Sequence, residues 1–375
     1  MKKLLLALFV LVLAPAEVGI FAAEKEGEWE RAVAAAKKEG KLTLYLYQGE
    51  GGLEAVAQTF QKKFPEIAVA TVMGRGTEFG PRIMAERRAG KYLADAYISG
   101  PTTPYTVFYP AKAMDPIRNA LILPEVTDES KWWEGKHHYI DPDGKYIFSF
   151  IGSVANGYVS YHSKLVGPRE FNSYWDLLQP RWKGKILSKD PKVSGSQRIA
   201  VRILYYTPGL GPEFLRRLYG EMDVTLTQEL RQSIDWLANG KFSICFFCGS
   251  GDIQKAKQQG LPVDEFPTAR WKEPPAVSSG NSGSVVLMNQ APHPNAAKVF
   301  INWLLSREGQ LAYQKIANTS SNSEESLRID IPKEMIPAEL RRSDSVKYLM
   351  SDRPEYMDMK PIYEVLDRAL AEKKK

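Results

Sequence analysis

The chain has 375 residues, of which 44% are hydrophobic and 25% charged, with a formal net charge of +6. That length supports two domains of ordinary size, and the composition excludes disorder as the default state. Lysines and arginines are interspersed with acidic residues except in the terminal EKKK, so a nucleic-acid face, which needs gathered basic residues, is not expected; small anionic ligands or a merely solvated surface are.

Lys2 and Lys3 precede an almost unbroken apolar run over 4–13, and small residues follow, the layout of a secretory signal peptide. The run is about ten residues, short of the roughly twenty that a membrane helix needs. Cleavage is expected at Ala22 or Ala23, ahead of the polar sequence from Glu24, with Ala16 as the alternative. Residues 1–23 are therefore read as a leader, and no cysteine lies there to carry a lipid. Losing Lys2, Lys3 and Glu17 lowers the net charge by one. A soluble, exported, periplasmic protein is expected.

From there the chain alternates. Trp29, Val33 and Ala36 recur at helical spacing and predict a helix over 28–38, stopped by Gly40. KLTLYLYQG reads as a strand with Leu42, Leu44 and Leu46 on one face; GEGG is a turn and 53–64 a helix closed by Pro65. A strand over 67–73, the turn GRGTEFG, a helix over 81–89, a strand over 94–98 and the turn SGPTT follow. Strand, glycine turn and helix in repetition predict a parallel sheet covered by helices. Gly74, Gly76 and Gly80 are one residue too widely spaced for a dinucleotide fingerprint.

The middle of the chain repeats the scheme less cleanly. YIFSFIGSVANGYVSYHSKL is a long strand-like run, 185–188 a strand, and KVSGSQRIAVRILYY a glycine-serine turn opening a helix. Helices are predicted over 214–219 and 228–238, a strand over 244–247, a helix over 252–259, a strand in SSGNSGSVVLMNQ, one long helix in HPNAAKVFINWLLSREGQLAYQKIA, and a last helix over 360–374.

Both cysteines, Cys245 and Cys248, fall in SICFFCGSGD. Three residues apart in a strand they would lie about 10 Å apart on opposite faces, beyond a disulfide. A zinc site needs two further ligands, and His137, His138, His162 and His293 have no paired spacing. A redox motif would open a helix. Separate packing cysteines are expected; a bridge across the turn and a metal are the alternatives.

EWERAVAAAKKEGKLTLY, RIMAERRAGKYLADAYISGP, YWDLLQPRWKGK and APHPNAAKVFINWLLSREGQ together resemble the extracellular solute-binding proteins of ABC importers, in the branch containing ferric-ion receptors. The resemblance runs from about Glu28 to at least Gln310. It implies a type II periplasmic-binding-protein fold, two α/β domains joined by two crossing strands, with the ligand in the cleft. The crossings would fall near 148–156 and 282–289. The first domain would be 24–148 plus 290–318, the second 157–281, with 319–375 packing on the second. The implied partners are a membrane permease and an ATPase, the protein itself being a monomer that needs no cofactor. Iron receptors of this branch carry adjacent tyrosines after the strand that here ends near Phe247, where this chain has Cys248, Gly249 and Ser250. Tyr205-Tyr206 lies elsewhere, in an apolar helix, and is read as core. A glycine-serine turn offers N–H and hydroxyl donors, so an organic anion is expected rather than iron.

In such sheets ligands sit at the carboxyl ends of strands, where glycine turns and helix amino termini favour anions. The candidates are Gln48, Gly49, Arg75, Gly76, Thr77, Gly100, Thr102 and Thr103 from the first domain, with Ser194, Gly195, Ser196, Gly249 and Ser250 from the second. Individually the glycines serve equally well as turns and the hydroxyls as helix caps; five polar turns at equivalent sheet edges argue for a site. Arg75 is the sharpest, because a guanidinium holds a carboxylate or phosphate by two parallel bonds; pairing with Glu78 is its alternative role. No G-x-S-x-G, S-x-x-K or H-E-x-x-H motif occurs, so no catalytic residue is assigned. A secreted hydrolase or lyase using Asp252, and a sensory module on the same fold, are the competing readings; Asp252 is more simply a first-turn carboxylate.

Overall fold

The computed structural model describes residues 16–49, 52–155, 159–193, 196–320 and 322–373, without the side chains of 16–26 and of Ser196. Ser194, Gly195, the centre of the GEGG turn and most of the expected leader lie outside the described residues. α1 (Ala16–Glu39) runs through both preferred cleavage positions. β1 (Lys41–Tyr47), α2 (Leu53–Lys63), β2 (Ala68–Gly74), α3 (Gly76–Arg88) and β3 (Ala96–Ser99) follow. Then come β4 (Met114–Asp115), α4 (Pro124–Thr127), β5 (His138–Tyr139), β6 (Phe148–Ser149), β7 (Ser153–Ala155), β8 (Val159–His162) and β9 (Ile186–Lys189). α5 (Ser196–Tyr206), α6 (Gly211–Glu221), β10 (Thr225–Thr227), α7 (Leu230–Ala238), β11 (Ile244–Phe246), α8 (Ser250–Gln258) and β12 (Val263–Glu265) continue the chain. β13 (Ala276–Ser278), β14 (Ser284–Met288), α9 (Pro294–Leu305), α10 (Arg307–Ala317), β15 (Leu349–Met350) and α11 (Lys360–Glu372) complete it.

Three sheets organise these elements. The first has the order β2-β1-β3-β14-β6-β5, with β4 against β14; the second has β10-β9-β11-β8-β12; and a small third sheet has β15-β13-β7. β1 is parallel to β2 and β3, and β9 is parallel to β10 and β11. The later strands join antiparallel, β14 on β3 and β8 on β11, so each large sheet is mixed rather than all parallel. β7 and β13 pair antiparallel and belong to neither large sheet. They are where the chain passes between the two lobes.

Each lobe has its own apolar interior. In the first, Phe60 of α2 meets Phe300 edge-on at 5.1 Å and Trp303 at 5.4 Å. Leu42, Leu44 and Leu46 are fully buried beneath these helices, as their common face of β1 requires. In the second, Phe214, Leu215 and Leu218 of α6 pack with Ile362, Leu366 and Ala369 of α11.

Several elements differ from the expectation. The strand-like run from Tyr146 is cut into β6, β7 and β8, one for each sheet, because it crosses the hinge. The long helix breaks at Ser306, whose side chain caps α10 by accepting from the Gly309 N–H. GRGTEFG is not a turn throughout, since α3 begins at Gly76; Thr102 and Thr103 are helical and lead into a π-turn at Pro104–Phe108. The segment 319–375, expected on the second lobe, is divided. Leu327 joins the first interior, and buried Arg328 there donates to the Leu305 carbonyl and to Asp330; α11 alone enters the second interior.

Candidate functional site

The rim of the first lobe follows from strand register. Gly74 pairs with Tyr47 where β2 and β1 end, and β3 ends beside them at Ser99. The row continues across the sheet from Ser99 to Ser284, Ser149 and His138. These side chains are satisfied within the protein. Ser284 Oγ donates to the Ser99 carbonyl at 2.7 Å, and Ser149 Oγ to the Ile151 carbonyl at 3.0 Å. His138 contacts the Trp133 carbonyl at 2.9 Å, and burial pushes its pKa down to about 4, which keeps it neutral. A cavity of about 430 Å³ lies at this hinge end of the row, between His138 and Asp352, away from the glycine turns.

The loops above the rim carry the candidates. The Gln48 N–H donates to the Gly74 carbonyl at 2.8 Å, which ties the β1 loop to the end of β2. Gly49 lies so close to the Tyr47 ring that any Cβ there would overlap it. Gly76 is packed in the same way against Thr103, with the Tyr97 hydroxyl 3.6 Å from where its Cβ would be. Tyr97 is buried below the start of α3; burial pushes its pKa up to about 12, opposed by the Ser99 and Thr103 hydroxyls. Gly100 packs on Gly280, whose carbonyl would lie 2.7 Å from a Cβ at 100. Thr102 is half-buried, and its backbone carbonyl accepts from Thr106 Oγ1 at 2.7 Å.

Arg75 and Thr77 are exposed at the start of α3. Glu78 does not pair with the Arg75 guanidinium; its Oε2 accepts from the Arg75 backbone N–H at 3.0 Å. Among the described residues no carboxylate lies within 4 Å of that guanidinium. The carboxylate therefore caps the helix and leaves the arginine head available.

Across from it, β9 ends at Lys189, half-buried. Burial lowers the Lys189 pKa; Asp252 and Glu229 pull it back up, and the positive charge of Arg75 lowers it further. The two cations, from different lobes, are thus within electrostatic reach, and no carboxylate among the described residues lies within 4 Å of Lys189. Asp252 sits in the first turn of α8 and Glu229 at the N-cap of α7. Gly249 (φ 79°) is the N-cap of α8, packed against Asp252 and Leu230. Ser250 is less available than its sequence position suggested: its hydroxyl donates to Glu265 at 2.7 Å, beside Gln254. Burial pushes the Glu265 pKa up.

The cysteines were expected to pack separately, and they are bridged. The strand stops at Phe246, and Phe247 takes a left-handed conformation (φ 65°), which brings the two Cα atoms to 5.9 Å. That is inside the usual disulfide range. The sequence argument extended the strand one residue too far. Both cysteines are fully buried beneath α8, so the bridge fixes the turn that presents Gly249.

The structure places Gly76 against Thr103 and Gly100 against Gly280 at the rim of the first sheet, with Arg75 exposed beside them, Gly249 at the N-cap of α8, and Ser196 at the start of α5. Lys189 was missed, although its position was legible: it stands one residue beyond the predicted strand 185–188, as Gln48 stands beyond Tyr47.

The model of the family described as bacterial extracellular solute-binding protein matches residues 55–333. The chain belongs to this family. A protein of Haemophilus influenzae described as uncharacterised is 23% identical over 283 residues, covering 74% of this chain and 76% of its own. Among solved structures, an iron- and citrate-bound IdiA (FutA) from Trichodesmium superposes with a TM-score of 0.61 at 19% identity, covering 88% of this chain and 99% of its own. The ferric binding protein from Campylobacter jejuni gives 0.62 at 14%, with the same coverage. AfuA from Actinobacillus pleuropneumoniae, with fructose-6-phosphate bound, gives 0.58 at 15%, covering 89% and 99%. The solute-binding protein shares with these the type II periplasmic-binding-protein fold. No helix among its described residues is long and apolar enough to cross a membrane.

Proposed function

We propose that this solute-binding protein captures a small organic anion, phosphorylated or carboxylated, between its lobes and delivers it to a permease and ATPase of an ABC importer. The observation that carries the reading is the pair Arg75 and Lys189, one from each lobe, close enough for the charge of one to act on the other and each without an ion-pair partner among the described residues. Two cations brought together repel; an anion between them removes that repulsion and gains two charge-assisted hydrogen bonds. Closure on the anion stabilises one lobe arrangement over the other, which is what a permease distinguishes. The start of α3 adds partial positive charge and N–H donors. Asp252 and Glu229 oppose the lowering of the Lys189 pKa that burial causes. Nothing here requires a catalytic group, and the leader 1–23 delivers the protein outside the cytoplasm. The domains are taken as 24–148 with 290–318, to which β14 and the residues around Leu327 are added, and 157–281 with α11.

The structural relatives include both chemistries: IdiA with iron and citrate, a ferric binding protein, and AfuA with fructose-6-phosphate. The anion is favoured here because the position implied for tyrosine ligands holds a bridged Cys248, Gly249, and a Ser250 whose hydroxyl is given to Glu265.

The test is a thermal-shift screen against sugar phosphates, di- and tricarboxylates, polyamines and ferric salts, followed by calorimetry of the best hit. Arg75→Ala and Lys189→Ala are each expected to weaken an anionic hit about tenfold or more, a loss of about 1.4 kcal/mol or more. A response to ferric salts alone, or unchanged affinity in both variants, contradicts the reading.

A further inference from the structure

The family match ends at residue 333, and the chain continues through β15 to α11. β15 adds to the hinge sheet, parallel to β13, so the two crossing strands gain a third. The residues after it are anchored to both lobes in turn. Asp352 is buried; its Oδ2 accepts from the Ser279 N–H at 2.6 Å and the Ser279 hydroxyl at 2.8 Å, while its Oδ1 pairs with Arg202 of α5 in the second lobe. Tyr105 of the first lobe donates to the Pro354 carbonyl at 3.2 Å. Tyr356 stacks on Tyr206 of α5, ring centroids 4.4 Å apart. Met357 is buried in the first lobe's apolar cluster with Phe79, Tyr97 and Phe108. α11 then docks on α6 of the second lobe.

From this alternation we infer that residues 349–359 form a strap that limits how far the lobes move apart. Rotation about β7 and β13 must either withdraw Met357 from the first lobe or part Tyr356 and Asp352 from α5. The strap also closes one side of the groove between the lobes. Met357, Asp358 and Met359 line a cavity of about 550 Å³ with Tyr105 and Thr106 of the first lobe and Arg198 of the second. Thr106 lies one turn beyond Thr102, and Arg198 lies in the first turn of α5, so this wall flanks the candidate site. Opening is then a property of this chain's own terminus rather than of the two crossings alone.

The inference rests on the receptor reading only for the premise that the lobes move. Its test uses the ligand-free protein. Spin labels on cysteines placed at Lys62 and Arg231, exposed on α2 and α7, report the distance between lobes; the native cysteines are buried and bridged and stay unlabelled. Tyr356→Ala removes one anchor without touching the interior. Insertion of four glycines after Tyr356 and four more after Asp358 slackens the strap on both sides of Met357 while leaving α11 docked. Both variants are first checked for unchanged circular dichroism. The native strap is expected to give a single narrow distribution that broadens toward longer distances in each variant. Distributions that superimpose on the native one in both folded variants overturn the strap. Failure of the receptor reading would register elsewhere, as a native distance indifferent to every compound in the thermal-shift screen.

Discussion

At the start of α3 the chain turns with ordinary backbone angles: Arg75 is extended (φ −100°, ψ 156°) and Glu78 accepts from its N–H. At the start of α8 the same task, aiming a helix amino terminus between the lobes, is done under constraint. Phe247 (φ 65°) and Gly249 (φ 79°) both have positive φ, and a disulfide from Cys245 to Cys248 encloses the first and adjoins the second. A bulky residue in that conformation costs of the order of 1–2 kcal/mol, so the bridge and the burial of Phe247 in the second interior hold what local preference resists. The first lobe offers an exposed cation on a relaxed turn; the second offers a bridged turn and a half-buried cation, Lys189. The contrast suggests a docking lobe and a rigid counter-face, with adaptation to the solute on the Arg75 side.

Breaking the bridge sharpens the contrast most. Cys245→Ala with Cys248→Ala is expected to lower stability by about 2 kcal/mol through release of a four-residue loop, more where the vacated volume does not collapse. Urea unfolding measures the loss, and calorimetry of an anionic hit is expected to show weaker binding, because Gly249 is no longer held. Wild-type affinity in the folded double variant would return the cysteines to a purely structural role. A smaller effect separates the two glycines. Gly249→Ala places a side chain at a position of positive φ and is expected to cost about 1 kcal/mol. Gly76→Ala overlaps the Thr103 hydroxyl, which a change of that side chain's rotamer relieves, and meets the Thr103 Cβ and Tyr97 hydroxyl only at ordinary contact distance; it is expected to cost about 0.5 kcal/mol. Equal losses in thermal melts would remove the distinction between a relaxed and a constrained turn.

The repeating strand–turn–helix order of the first lobe was legible because β1, β2 and β3 are local units with clear breakers: Gly40, Pro65 and the glycines before α3. The antiparallel strands were not, since β14 joins β3 and β6 only through contacts distant in the chain. Arg75 is a candidate on its turn alone. Lys189 was passed over because its electrostatic coupling to Arg75 links residues distant in the chain, which no local pattern encodes. The disulfide was misjudged through one dihedral angle, that of Phe247, which propensity assigns to the strand. The strap was invisible for the same reason as β14: Asp352, Tyr356 and Met357 are unremarkable until Ser279, Tyr206 and Phe108 surround them.

The account turns on an anion drawing Arg75 and Lys189 together as the lobes shut. Small-angle scattering of the protein with and without the sugar phosphate or tricarboxylate that most raises its melting temperature tests this directly. The radius of gyration is expected to fall when that anion is added, and to stay at the ligand-free value in the Arg75→Ala, Lys189→Ala double variant. A wild-type curve unchanged by every anion that binds, or a contraction that the double variant retains in full, would contradict it.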